Sequence, residues 1–417
     1  MGVAQSQGPA PVMTAEDASI AFTFPNGVDP KQRGVLRNKY NPGSLCKYTV
    51  LEPDDPQKKM VQEKLKANGF SLKEDKALGA YMGMVVGDAL GAPLEFSAVR
   101  YGVDELKGMD HVQIWTAPGY NRFGLKPGQW TDDASMGQCI AESLLVHPEF
   151  SPTDLRLRFL NWWQFGYCNA FGCDPERGGS VGLGGNISQS MSEFVEKRTE
   201  YTSAGDFYTS GNGSVMRLAA VPVFFWDNKE KGMDVAYKQS KTTHQGEEAA
   251  ECCRLMSLII MTAINSPKGD KSFLDDLPSI FTSKEYSMQC LAASTQEEKR
   301  ECNAKLDLQD RNWDWMDADF KYAPGRSMKQ PGYIGSYAMD ALSMALHCVY
   351  TTSSFTEAVL KCVNMRGDAD SVGSVAAQIA GSIYGVSEIP TKWIELVQQW
   401  DNDGECALRA YKLFSKK

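Results

Sequence analysis

Apolar residues in this chain recur at helical spacing, and no stretch alternates as strands do. From 370 to 384, Val372, Val375, Ala376, Ile379, Ala380 and Ile383 follow the three-four step of one helix face. Residues 247–264 repeat it through Cys252, Met256, Ile259, Ile260 and Ala263. A third helix is predicted from about Asp133, burying Met136, Ile140 and Leu144. A fourth, over 335–350, offers Tyr337, Ala341, Leu342, Ala345 and Val349. The expected fold class is therefore all-α, as a compact single domain over 73–417. Residues 1–72 read as a partly irregular extension, with one helix over 56–69. The polar, interrupted stretch 266–330 reads as a surface insertion. Small residues crowd 77–92 and 367–385, which lets helices approach closely.

Composition narrows the function classes. The 417 residues carry 43 basic and 52 acidic side chains, a net charge of −9, with no basic stripe. Direct nucleic-acid binding is not expected. The eleven cysteines form no C-x-x-C pair, and the four histidines, His111, His147, His244 and His347, are far apart, so a zinc site is not expected. Free thiols and the lack of an apolar leader suggest a reducing, cytoplasmic setting. No run of about 18 uninterrupted apolar residues predicts a transmembrane helix. The opening MGVAQS fits an N-myristoylation pattern at Gly2, a weak membrane contact at most.

Five segments carry candidate chemistry. In GQWTDDASM, Thr131, Asp132 and Asp133 stand where a helix begins; in MRGDADSVG, Asp368, Asp370 and Ser371 do the same. Each group reads locally as a helix cap, worth about 0.3–1 kcal/mol for an acid at the dipole. Each also reads as hard oxygen ligands for a cation. Were the carboxylates to converge, each pair would repel by about 4 kcal/mol at 4 Å and an effective dielectric near 20. Convergence therefore demands a cation, and an all-oxygen set selects Mg or Mn. Two glycine-rich loops, GGSVGLGGNIS at 178–188 and GNGSVMR at 211–217, permit close backbone approach to an anion or another helix. Arg217 would supply charge to the second loop or lock it. In GDALGAPLEF, Asp88 and Glu95 are the polar residues of an apolar segment, and Pro93 should end the helix just before Glu95.

Taken in order, GDALGAPLEF, WTDDAS, GNGSVMR and GDADS resemble the motifs of the ADP-ribosylglycohydrolase family, over about 77–390. The resemblance implies an ADP-ribosylglycohydrolase-like helical fold with two Mg ions, Mn being an alternative. It implies metal ligands at Thr131, Asp132, Asp133, Asp368, Asp370 and Ser371. Asp132, Glu95 and Asp133 form the implied catalytic group, with Glu95 a ligand, a gate or a general acid/base. Gly182, Gly184, Gly185, Gly213 and Ser214 would hold a diphosphate, and Tyr333 would stack on the adenine, against a plain reading as a core tyrosine. The implied reaction removes ADP-ribose from a modified protein side chain, first of all arginine, by attack of metal-activated water at ribose C1. Serine-linked or O-acyl-ADP-ribose are alternative substrates, and a monomer is expected. One departure is that the 178–188 loop lacks the acid found in the bacterial branch; Asp174 is the nearest. That favours a second reading, a non-catalytic ADP-ribose binder or structural protein. A cysteine-based hydrolase is a third.

Overall fold

A computed structural model gives the fold over residues 51, 55–172, 174, 177, 179–207, 209–298, 311–322, 332–402 and 404–416. The Gly2 motif, most of the 1–72 extension, and 299–310 and 323–330 of the insertion lie outside the described residues. Twelve helices of eight or more residues are described: α1 Pro56–Ala67, α2 Leu72–Gly91, α3 Asp132–Val146, α4 Pro152–Phe165, α5 Gly185–Lys197, α6 Lys229–Lys241, α7 Glu247–Asn265, α8 Ala338–Tyr350, α9 Phe355–Val363, α10 Ala369–Tyr384, α11 Thr391–Gln398 and α12 Glu405–Ser415. No strand occurs among the described residues; three isolated bridges do.

Helix α10 is the centre of the molecule. Every one of its residues is buried, and α2, α7, α8 and α9 pack around it. The closest of these contacts is with α2, and small residues make it possible. A Cβ on Gly79, Gly83, Gly87 or Gly91 would lie 2.2, 2.2, 2.4 or 2.2 Å from the carbonyl oxygens of Gly381, Ala377, Gly373 and Ala369. The descending order of the partners shows that the helices run antiparallel, and glycine every fourth residue lets backbone meet backbone. This contact brings the C-terminal turn of α2, with Asp88, beside the N-terminal turn of α10, with Asp370. By length and composition the segment Leu72–Leu94 could cross a membrane, at a mean hydropathy of 1.3, but its apolar 18-residue stretch is buried inside the protein and is the core partner of α10.

Helix α2 starts with a capping box of Ser71 and Glu74. At its far end Pro93 falls in a 3-10 turn, Ala92–Leu94, after which the chain extends at Glu95. The helix that carries Asp132 and Asp133 is held by α12: Arg409 Nε donates to Glu142 Oε1 at 2.6 Å in a buried ion pair. Breaking such a pair by removing one partner costs about 3–5 kcal/mol.

The 266–330 stretch is less superficial than its composition suggests. Phe273, Leu274, Leu277, Met288, Leu291, Trp313 and Trp315 are buried in the core. The polar residues between them serve those rings: Trp313 Nε1 donates to Glu297 Oε2 at 3.0 Å, and Trp315 Nε1 to the Leu291 carbonyl at 2.7 Å. The apolar residues follow no single helical period because they sit on short pieces, Leu277–Ile280 and Tyr286–Ala292, and on turns.

Candidate active site

Two helix N-termini, those of α3 and α10, face one pocket of about 490 Å3. Thr131 and Asp368 occupy the N-cap positions of these helices, yet neither side chain makes a capping hydrogen bond. The capping explanation therefore fails for them. Thr131 instead donates its Oγ1 to Asp88 Oδ1 at 2.9 Å. Asp88 reaches across from α2 and accepts the Thr131 and Ala134 amides as well, each at 2.9 Å. It thus fixes the first turn of α3 from outside that helix.

Segment 332–337 closes the other side. Asp368 N donates to the Ile334 carbonyl at 3.0 Å, Asn212 N to the Ser336 carbonyl at 2.9 Å, and Val99 N to the Gly332 carbonyl at 2.7 Å. Bridges pair Ser97 with Gly367 and Gly211 with Tyr337. These main-chain bonds tie the Glu95, Asn212, Tyr333 and Asp368 segments into one rim. Asn212 Nδ2 then donates to Asp368 Oδ2, and Tyr333 OH to Glu95 Oε1, at 3.0 and 3.3 Å.

Six carboxylates meet here: Asp88, Glu95, Asp132, Asp133, Asp368 and Asp370, none more than 7% exposed. Five of them, all but Asp132, form two triads whose ligand oxygens lie within 4.8 Å of one another, Asp88–Asp133–Asp370 and Glu95–Asp368–Asp370, with Asp370 in both. No lysine or arginine lines the pocket among the described residues. Burial, and then the neighbouring acids, push Asp132, Asp133, Asp368 and Glu95 well above the ordinary carboxylate range. Burial also pushes Asp88 up to about 7, against the opposing pull of its Ala134 and Thr131 hydrogen bonds. Each carboxylate pair repels by about 4 kcal/mol at 4 Å and an effective dielectric near 20. Protons or cations must neutralise the cluster, and two buried oxygens, Asp133 Oδ1 and Glu95 Oε2, find no hydrogen-bond partner. Orphaned buried oxygens in an all-oxygen donor set fit a hard divalent cation.

The family model described as ADP-ribosylglycohydrolase matches residues 71–417. The chain belongs to the ADP-ribosylglycohydrolase family. It is 27% identical over 326 residues to ADP-ribosylarginine hydrolase Tri1 of Serratia proteamaculans (strain 568), covering 78% of this chain and 76% of that one. It is 26% identical to the ADP-ribosyl-[dinitrogen reductase] glycohydrolase of Rhodospirillum rubrum, over 77% of this chain and 89% of that one. A solved ADP-ribosylglycohydrolase-related protein complex includes a chain with the same fold, at a TM-score of 0.60 and 25% identity, covering 82% of this chain and 99% of that one. The protein is thus an ADP-ribosylglycohydrolase, a hydrolase of glycosidic bonds that removes ADP-ribose.

Within this ADP-ribosylglycohydrolase, Asp132, Glu95, Asp368, Asp370 and Ser371 line the pocket together with Gly182, Gly184, Gly185, Gly213 and Tyr333. Thr131 and Asp133 lie buried behind that wall. The structure does not bring the Ser214 hydroxyl to the pocket; it turns inward against Ser240 Oγ at 2.7 Å. Tyr333 packs nearly parallel on Phe96, at 5.9 Å between ring centres, so one of its faces is already covered. Phe96 holds its ring there from a positive φ of 64°, uncommon for an aromatic residue and of the kind found at ligand sites. Asp174 is bound to Lys126 and Gln129 and does not line the pocket. None of the eight described cysteines lines it, and all are buried, which leaves the cysteine-nucleophile reading without support. Arg217 takes the structural option: it is fully buried and bonded to Gln239 and Thr243.

The sequence reading did not assign Asp88, Asn212, Phe96 or His244 to the site. Asp88 carries a signal, an acid in the otherwise apolar C-terminal half of α2. Asn212 stands between two glycines, whose pattern marks a loop and not a ligand. His244 carried none.

Proposed function

We propose that this ADP-ribosylglycohydrolase removes ADP-ribose from arginine side chains of modified proteins and depends on divalent cations, Mg or Mn. The observation that carries the reading is the sharing of Asp370, which lines the glycine-walled pocket, by two buried acid triads. The triads offer places for two cations, with Asp88, Asp133 and Asp370 around one and Glu95, Asp368 and Asp370 around the other. Bound cations would supply Lewis acidity, lowering the pKa of water and fixing the ribose hydroxyls. The chain's own groups do the rest. Amides of 182–185 and 211–213 take the diphosphate, since their glycines let anions approach the backbone. Asp132, beneath Gly182, accepts the proton of the attacking water, a role worth roughly 10²–10⁴ in rate. The surrounding carboxylates favour positive charge as it develops on the ribose. Arginine as leaving group is supported by the named activity of the Serratia proteamaculans relative.

A side chain at 182 would collide with Asp132 Oδ1, 1.8 Å from its Cβ, so Asp132 already fills the space of an acid at that position. That weakens the case for a binder that does not hydrolyse. The test is release of ADP-ribose from an ADP-ribosylarginine protein. Turnover with Mg or Mn should vanish with chelator and fall at least about a hundredfold in Asp132→Asn and Asp370→Asn. Near-normal turnover of both variants refutes the site, and faster turnover of serine-linked or O-acyl-ADP-ribose moves the substrate assignment.

A further inference from the structure

His244 is buried and lines the pocket, with its Nε2 3.5 Å from where a Cβ on Gly211 would stand and 3.2 Å from one on Gly213. Its Nδ1 lies 2.8 Å from Thr243 Oγ1. Thr243 Oγ1 in turn receives Arg217 Nη2 at 2.8 Å. Arg217 is fixed by further bonds, from Nε to Gln239 Oε1 at 3.1 Å and from Nη2 to the Gln239 carbonyl at 3.2 Å, and its guanidinium sits 4.4 Å over the Phe159 ring. Gln239 Nε2 donates back to the Ser214 carbonyl at 2.9 Å, which ties the network to the 211–217 loop.

Donor counting sets the direction of this chain. A guanidinium only donates, so Thr243 Oγ1 is the acceptor from Arg217. The hydroxyl has one proton left, and His244 Nδ1 is the side-chain atom placed to take it. Were Nδ1 the donor, a buried hydroxyl proton would go unpaired. The imidazole proton then belongs on Nε2, the atom at the pocket wall. Burial and the neighbouring Arg217 hold His244 down to about 3, so the ring stays neutral across the working pH range.

We propose that Thr243 and Arg217 are positioning residues that hold His244 in its Nε2–H form, as a permanent hydrogen-bond donor at the glycine wall of the pocket. The group it would serve is an anionic oxygen of the ligand, here the diphosphate of ADP-ribose; that last step rests on the proposed function.

The experiment uses the full chain labelled with 15N-histidine, which has only four histidines to assign, and titration with ADP-ribose. At neutral pH the wild-type His244 should show a protonated Nε2 and a bare Nδ1. Thr243→Val, isosteric but without the hydroxyl, should give a mixture of the two neutral forms and bind ADP-ribose roughly threefold to tenfold more weakly, the range of one neutral hydrogen bond. Thr243→Ser should restore both readings. Its KM should return with the hydroxyl while kcat moves little, which a merely structural role would not produce. A wild-type ring protonated on Nδ1, or on both nitrogens, overturns the proposal, as does an unchanged spectrum and affinity in Thr243→Val. Should Thr243→Val fail to fold, the wild-type and Thr243→Ser spectra decide it alone. A wild-type protein with the expected ring that binds no ADP-ribose would sink the functional reading and leave the relay standing.

Discussion

Substituting Gly83 with alanine separates two opposite expectations. On an isolated helix the change stabilises, because alanine has the better helix propensity by roughly 0.5–1 kcal/mol. In this protein the added Cβ would stand 2.2 Å from the Ala377 oxygen and 2.8 Å from its carbon. Ordinary contact begins at 3.4 Å, so α2 and α10 must part by about 1 Å along most of their length. The obstacle is backbone, which cannot rotate out of the way. Overpacking of this kind costs about 1–3 kcal/mol, more than the propensity gain, so the net effect is destabilising. The same 1 Å would separate Asp88 from Asp370, and a displacement of that size costs up to about a hundredfold in rate. Urea denaturation followed by circular dichroism, with the ADP-ribose release assay beside it, reads both effects. A variant as stable and as active as wild type would refute the claim that backbone contact between these helices sets the site.

Two further perturbations address the pocket. Removing divalent cations with a chelator should make stability fall as pH rises. The folded protein holds protons on these acids above their unfolded range, and Asp88 up to about 7, so the stability present below about 4 is lost as pH climbs through about 7. Adding Mg should therefore raise the melting temperature more at pH 8 than at pH 5.5, and equal shifts would contradict the convergence of the six acids. Gly182→Ala combines a positive φ of 90° with contact on Asp132. It should lose roughly 1–2 kcal/mol of stability through the strained backbone and at least tenfold in kcat through Asp132, measured by denaturation and steady-state kinetics; unaltered kinetics would place Asp132 elsewhere.

Much of this fold is legible from periodicity alone, because the apolar spacing of α7 and α10 persists for four turns or more, even though α10 is buried on every side. Helix ends were less legible. The helix expected from 335 begins at Ala338, since Asn212 and Ser210 hold the preceding residues extended by main-chain bonds that no side chain announces. The burial of the 266–330 stretch is not legible because Trp313 stands in irregular backbone and Trp315 on a turn, where no period exists to detect. At the site, acids at two helix starts were visible in the sequence. Their failure to cap was not, because it depends on Asp88 arriving from α2 to take the amides of α3. His244 could not be found from sequence at all, since the glycine loop meets it only through α6 and the turn after it.

The most direct measurement is an anomalous difference map from crystals of the protein grown with Mn. Peaks are expected between Asp88, Asp133 and Asp370 and between Glu95, Asp368 and Asp370, and both should disappear in Asp370→Asn. A map without Mn at either triad, from protein that still releases ADP-ribose in the presence of chelator, would contradict a cation-dependent centre.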